Sequence, residues 1–197
     1  MPVFSKKQLL LELTDRTELI RSTAKSFLRL SNEQLKLKPA PNKWSICEVF
    51  EHLLITQDLY LKSILPKIAA APDKDSVTHR SSLLGDFVYT QIMPKANGNV
   101  LKLPAPKILC PTNNEDNAHT VLNNFLHQLD VLHDILQHAS TKDIQRIKIP
   151  FAFTSLMKLR LGDNLRFLIA HNERHMLQAQ RVSEVFNTNQ SFHNYSS

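Results

Sequence analysis

The sequence predicts an all-α chain, arranged as a four-helix bundle with a long crossover connection between helices two and three. Three observations carry that prediction. Glycine occurs only three times, as Gly85, Gly98 and Gly162, too few for the many turns of a β-sandwich or for a glycine-rich phosphate loop. Four segments repeat apolar residues at steps of three and four, the signature of a helix with one buried face. Between them lie proline-rich or polar stretches that a helix does not cross. At 197 residues, 42% apolar and 21% charged, the chain has the composition of one globular domain with a proper core, not of a disordered segment. We place that domain at 1–186, with 187–197 (NTNQSFHNYSS) as a mobile polar tail.

The first helix is expected over 5–30, capped by Ser5, on a stripe of Leu9, Leu13, Ile20, Ala24 and Phe27. Arg16 falls inside the stripe, which leaves two readings: contact with an anionic substrate group, or a stem that snorkels out of the core. SNEQLKLKPAPNK then breaks the period, with Pro39 and Pro41 as stops. Ser45 begins the second helix as its N-cap, with Glu48 three residues on to close a capping box. That helix runs to about Ile68 on Ile46, Val49, Phe50, Leu53, Leu61, Ile64 and Leu65.

Residues 71–112 form the long connection, with a short helix expected over SSLLGDFVYTQIM and irregular chain over PKANGNVLKLPAPKILCPT. Connections of this length commonly cover or complete a site. The third helix is expected over 115–138 on Val121, Leu122, Phe125, Leu129, Leu132 and Leu136. KIPFAFTSLM reads as an apolar turn region, and the fourth helix runs from Gly162 or Asp163 to Val185.

Several function classes are disfavoured on composition. The net charge of +6 admits an anionic partner, but the basic residues are scattered in short clusters, with no aromatic stacking motif of the single-strand binders, so nucleic acid is not the expected partner. No apolar leader opens the chain and the long helical patterns are studded with charge, so a membrane span is not expected and the default location is cytoplasmic. Cys47 and Cys110 form no CxxC and no disulfide framework. Cys47 reads as a buried inert thiol, and Cys110 has no visible activating partner.

The chemistry concentrates on histidine. On a wheel of the fourth helix, Leu168, Ala179, Val182 and Phe186 share a sector, with Leu165 and Met176 at its edge. His171 and His175, the ends of HNERH, lie in the same sector, while Glu173 points roughly the other way. Two imidazoles buried without partners would cost several kcal/mol. Either a buried hydrogen-bond network or a divalent metal relieves that cost, and the i,i+4 spacing suits both. His52 lies on the flank of its stripe beside Val49 and Thr56. His79, His119, His127, His133, His138 and His193 read as surface polar residues. HNERH is not HExxH, no Glu-x-x-His pair recurs on two helices, and no GxSxG elbow is present.

Two elements carry a resemblance to a known family. LKLKPAPNKWSICEVFEHLL supplies Trp44, Ser45, Glu48, His52 and Leu53 in the pattern W-S-x-x-E-x-x-x-H-L. LGDNLRFLIAHNERHMLQAQRV supplies His171, His175, Gln178 and Arg181 in the pattern of a late H-x-x-x-H followed by Gln and Arg. Together they resemble the DinB-like/YfiT-like metal-dependent hydrolases, a family of four-helix bundles. The resemblance implies His52, His171 and His175 as ligands of one divalent metal, nickel or zinc. It also implies a small-molecule substrate, with relatives that transfer a low-molecular-weight thiol to electrophiles, and a homodimer. A metal of this kind lowers the pKa of a bound thiol or water and supplies a nucleophile. Glu48 is then a candidate base or orienting group beside His52, against its plainer role as a helix cap. The alternatives are a bundle that binds metal or ligand without turnover, and a purely structural histidine cluster.

Overall fold

The computed structural model describes residues 1–74, 76–93, 105–112, 117–151 and 154–194. It is predominantly helical, and its four long helices are α1 (Lys6–Ser26), α3 (Ile46–Ala70), α5 (Ala118–Ala139) and α6 (Leu161–Asn194). Each packs along two of the others: α1 on α5 and α6, and α3 on α5 and α6. The apolar stripes read from the sequence meet in the middle. Leu13, Leu53, Leu122, Phe125, Leu129 and Leu168 are all fully buried there, each such side chain stabilising the fold by about 1.5–3 kcal/mol relative to exposure.

The helix starts obey the expected capping chemistry. Ser5 accepts the amide of Gln8, and the Ser45 hydroxyl accepts the amide of Glu48 while the Glu48 carboxylate accepts the amide of Ser45. The stretch expected to be irregular after α1 holds a five-residue helix, α2 (Asn32–Lys36), because Ser31 and Gln34 close a second capping box. The connection carries α4 (Leu83–Ile92), begun by Ser82, within the span predicted for it. Of the remaining connection, 94–104 lies outside the described residues, as does 113–116, where the third helix was expected to begin.

Short strands accompany the helices. β1 (Val3–Ser5) pairs antiparallel with β2 (Thr78–Arg80) and ties the N-terminus to the connection. The region expected as an apolar turn forms a hairpin, β3 (Lys148–Phe151) with β4 (Thr154–Arg160), whose second strand runs directly into α6. Ile149 and Leu159 of the hairpin are fully buried, and Phe151 packs edge-on against Phe167 of α6. With α4, α3 and α1 all packed on α6, 161–172 is buried on all faces, whereas the sequence wheel assigns that helix one inward stripe. α6 also continues through the stretch read as a separate tail, to Asn194.

A buried polar knot sits where α4, β2 and the start of α6 meet. Asp163 accepts from the Ser81 hydroxyl at 2.5 Å, from His79 Nε2 at 3.0 Å and from both the amide and hydroxyl of Ser82. Burial alone would raise its pKa; the hydrogen bonds from His79, Ser81 and Ser82 outweigh that and lower it to about 2. Gly85 and Gly162 make this approach possible, since a Cβ on Gly85 would stand 2.3 Å from the Asp163 carboxylate and one on Gly162 would stand 2.6 Å from the His79 ring. His79, expected at the surface, is therefore wholly buried; a histidine on a three-residue strand whose acid lies on a distant helix carries no local pattern to reveal it. His127 and His138 are exposed, and His119 and His133 half-buried.

Candidate metal centre

α3 and α6 bring His52, His171 and His175 together. All three are buried, and one ligand-capable nitrogen from each lies within 4.8 Å of the others. His171 and His175 owe their shared face to the i,i+4 spacing on α6. His52 comes from α3, seven residues past the Ser45 cap, and its Nε2 is 3.3 Å from His171 Nε2. Trp44, just ahead of that cap, packs its indole against His52 and His175 at 4.9 and 6.3 Å between ring centres. Phe167 stacks on His171, at 5.8 Å between ring centres.

Two hydrogen bonds set the tautomers. His52 Nδ1 is 2.7 Å from the backbone carbonyl of Leu109, which has no proton to give, so Nδ1–H donates and Nε2 keeps its lone pair. His175 Nδ1 likewise donates to Gln178 Oε1 at 2.8 Å, one turn further along α6. Both imidazoles thus hold their free nitrogen on the side away from the bond, the arrangement by which orienting groups prepare histidine for a metal. His171 Nδ1 has no hydrogen-bond partner among the described residues.

Burial keeps the cluster neutral. It is the largest influence on all three groups, lowering the pKa of His52, lowering that of His171 well below its ordinary value, and bringing His175 to about 3. Mutual repulsion among the imidazoles and the nearby Arg174 adds to this for His171 and His175. Neutral imidazole is the ligand form. The separation also fits: two nitrogens each 2.0–2.1 Å from a tetrahedral ion stand roughly 3.3 Å apart. Lone pairs converging at that distance need a proton or a cation between them, and the donor set is one that zinc and nickel accept.

The three histidines form one wall of a cavity of about 830 Å³. Its other walls come from Trp44 and Thr56, from Phe87, Val88 and Ile92 of α4, and from Phe151 and Phe167, with Leu109 at the side of His52. The long connection therefore contributes both an enclosing helix and the carbonyl that orients a histidine.

Glu48 stands elsewhere. Among the described residues that line the cavity it does not appear; its carboxylate caps α3 and pairs with Lys38 at 2.7 Å. Arg16 meets a protein carboxylate: Nε and Nη2 bond Glu173 at 2.7 and 2.6 Å, joining α1 to α6. Burial disfavours the Arg16 charge, but the Glu173 contacts and Tyr89 outweigh it and raise its pKa. Cys47 is buried, and Cys110 is half-buried with its thiol toward the Ala105 and Pro106 carbonyls. The residues that sequence reasoning did not assign are Leu109, Arg174 and the role of Gln178. Only Gln178 had a local signal, its three-residue spacing from His175.

A helical fold in which α3 and α6 bring three buried histidines together beside a cavity defines a helical protein with a cluster that could hold a metal ion. A family model for the DinB superfamily matches residues 16–179, and the chain belongs to that superfamily. Searches against curated proteins and against solved structures return no match. No helix among the described residues is long and apolar enough to cross a membrane.

Proposed function

We propose that this protein is a metalloenzyme that binds one divalent ion, nickel or zinc, through His52, His171 and His175. We further propose that it acts on small electrophiles, as a metal-dependent hydrolase or a low-molecular-weight-thiol S-transferase. The observation that carries the reading is the pair of tautomer-fixing bonds, Leu109 carbonyl to His52 and Gln178 to His175, which leave free nitrogens converging on a cavity wall. A structural histidine cluster has no need of a cavity beside it, and a closed binding site would leave no room for a substrate; the space of about 830 Å³ falls within the range of ligand sites. When bound, the ion would lower the pKa of a water or thiol and so supply a nucleophile near neutral pH. The chain's own residues hold the ligand tautomers, exclude water through Trp44, Phe151 and Phe167, and position the substrate. Glu48 is left with its capping role and is not assigned a proton.

Elemental mass spectrometry on tag-free protein purified without chelators tests this reading. About one equivalent of a transition metal is expected, and it should be lost in His52→Ala and His175→Ala variants that keep their helical circular dichroism. Thiol-transfer and ester-hydrolysis assays on the loaded protein follow. A parent that neither contains metal nor takes up zinc or nickel refutes the metal centre. A loaded protein without turnover on any tested electrophile supports the binding bundle instead.

A further inference from the structure

The β3–β4 hairpin carries a second recess, an open cleft of about 490 Å³ lined by Asp143, Gln145, Arg146, Lys148 and Arg160. It shares no lining residue with the cavity beside the histidines. Lys148 and Arg160 are direct partners in the antiparallel ladder, a pairing of like charges that works against the hairpin. One carboxylate lines the cleft with them, and it is already engaged. Asp143 holds Lys74 at 3.4 Å, Arg146 at 3.6 Å and the amide of Gln145 at 3.2 Å. Lys148 has no ion pair among the described residues, whereas Arg16, Arg21 and Lys142 each meet a carboxylate within 2.9 Å. Arg160 is fixed on one side only. Its Nη1 donates to the Arg80 carbonyl of β2 and to Gln145 Oε1, and Gln145 Oε1 also accepts the Arg80 amide at 3.0 Å. Its Nε and Nη2 make no hydrogen bond among the described residues. One whole edge of the guanidinium, with two parallel N–H donors, is thus oriented and unused.

We propose that this cleft binds a phosphate dianion, free or carried by a small molecule, with the open edge of Arg160 in two parallel bonds and Lys148 as a neighbouring point charge. The planar fork matches two phosphate oxygens at once, which an ammonium does not reproduce. A phosphoryl group carries about −1.5 to −2 charge near neutral pH and has three acceptor oxygens, so it answers both cations, whereas a carboxylate carries a single charge. Bound between them, it relieves the repulsion that the ladder imposes on Lys148 and Arg160. The site is independent of the histidine cluster and of any metal held there.

Isotope-labelled protein, treated with EDTA so that no metal captures the anion, would be titrated near neutral pH and at constant ionic strength. The ligands are inorganic phosphate, glycerol phosphate, nitrate and heparin. NMR follows the Arg160 Nε–H signal, and the backbone amides of 145–148 report binding in the variants. Saturable movement of these signals is expected, with phosphate bound at least about tenfold more tightly than nitrate. Arg160→Gln should weaken phosphate binding about tenfold or more, with Arg160→Lys recovering little of it. Lys148→Gln removes an amino group without an ion pair in the fold and should weaken binding about two- to fivefold. Lys25→Gln on α1, the same change in net charge, should leave it unaltered. Circular dichroism checks the fold of each variant; were Arg160→Gln unfolded, Lys148→Gln and the nitrate comparison would still decide. Phosphate binding no tighter than nitrate binding, affinity that survives in both Arg160→Gln and Lys148→Gln, or a response to heparin alone would each overturn the proposal. Tighter binding of glycerol phosphate than of inorganic phosphate supports a phosphoryl group on a larger molecule, and equal or weaker binding supports the free ion.

Discussion

Mild acid should destabilise the metal-free protein through the histidine cluster, and the size of the effect follows from burial. His175 has its pKa lowered from 6.5 to about 3, and His171 is held well below 6.5. The sign is fixed by which state binds protons. Between the folded and unfolded pKa values the unfolded chain is protonated at these positions and the native chain is not, so stability falls as pH drops below 6.5. At about pH 5.5, one unit below the unfolded value, each such group costs about 1.4 kcal/mol relative to pH well above 6.5. Two together amount to roughly 3 kcal/mol, a large part of a typical 5–15 kcal/mol total. His52, also lowered by burial, acts in the same direction. The assay is urea unfolding of EDTA-treated protein at about pH 7.5 and 5.5, compared with a His171→Gln/His175→Gln variant; the parent's loss should exceed the variant's by roughly 3 kcal/mol. Equal losses in the two proteins would mean that the native imidazoles take up protons freely, and the picture of a buried neutral ligand set would be wrong.

Other perturbations separate the site from its frame. Gly85→Ala would drive a methyl group to 2.3 Å from the Asp163 carboxylate, and a thermal melt should register a loss of about 1–3 kcal/mol from the forced shift. Gln178→Leu removes the acceptor that orients His175; zinc affinity measured by competition with a chelator should weaken about 10–100-fold with the fold retained. Glu48→Ala removes one half of the α3 capping box and the Lys38 pair. It should cost about 1–2 kcal/mol in urea unfolding and leave the metal stoichiometry unchanged, an outcome that a base or ligand role for Glu48 would contradict.

What was legible in the sequence and what was not divide along a physical line. Helical period and capping are local, so the stripes of α1, α3, α5 and α6 and the Ser45–Glu48 box could be read from neighbours in the chain. The same locality put His171 and His175 on one face. Contacts between distant segments leave no such trace. Asp163 lies 84 residues from His79, and Arg16 lies 157 from Glu173; neither pair leaves a local signal, so the sequence around His79 points to the surface. The Ser31–Gln34 box is local too, but it lies in a stretch whose pattern Pro39 and Pro41 dominate. The β3–β4 hairpin was hidden for another reason. Its apolar run lacks strict alternation, and a register irregularity at Pro150 and Phe151 blurs the two-residue period by which a strand is recognised.

His52 shows how far local reasoning reaches into the site. The wheel placed it only on a flank, since a flank residue faces whichever element lies beside it, and α3 cannot say which element that is. The neighbour is the connection: Leu109, 57 residues away, presents a backbone carbonyl at 2.7 Å. A carbonyl has no side-chain identity, so no substitution pattern or motif at position 109 encodes it; only the path of the chain does. That path is set in turn by local chemistry, the short 3-10 turn at Lys107–Leu109 following Pro106. The connection is thus the segment that turns His52 from a half-placed polar residue into a buried imidazole of defined tautomer. It follows that lengthening the connection between α4 and Leu109 should loosen the ring of His52 before it disturbs the core. Replacing 94–104 with a longer glycine–serine linker would test this, with His52 Nε2 followed by NMR through its tautomer-sensitive nitrogen shift: a mixture of tautomers is the expected result, and an unchanged single tautomer would show that α3 and α6 orient the ring unaided.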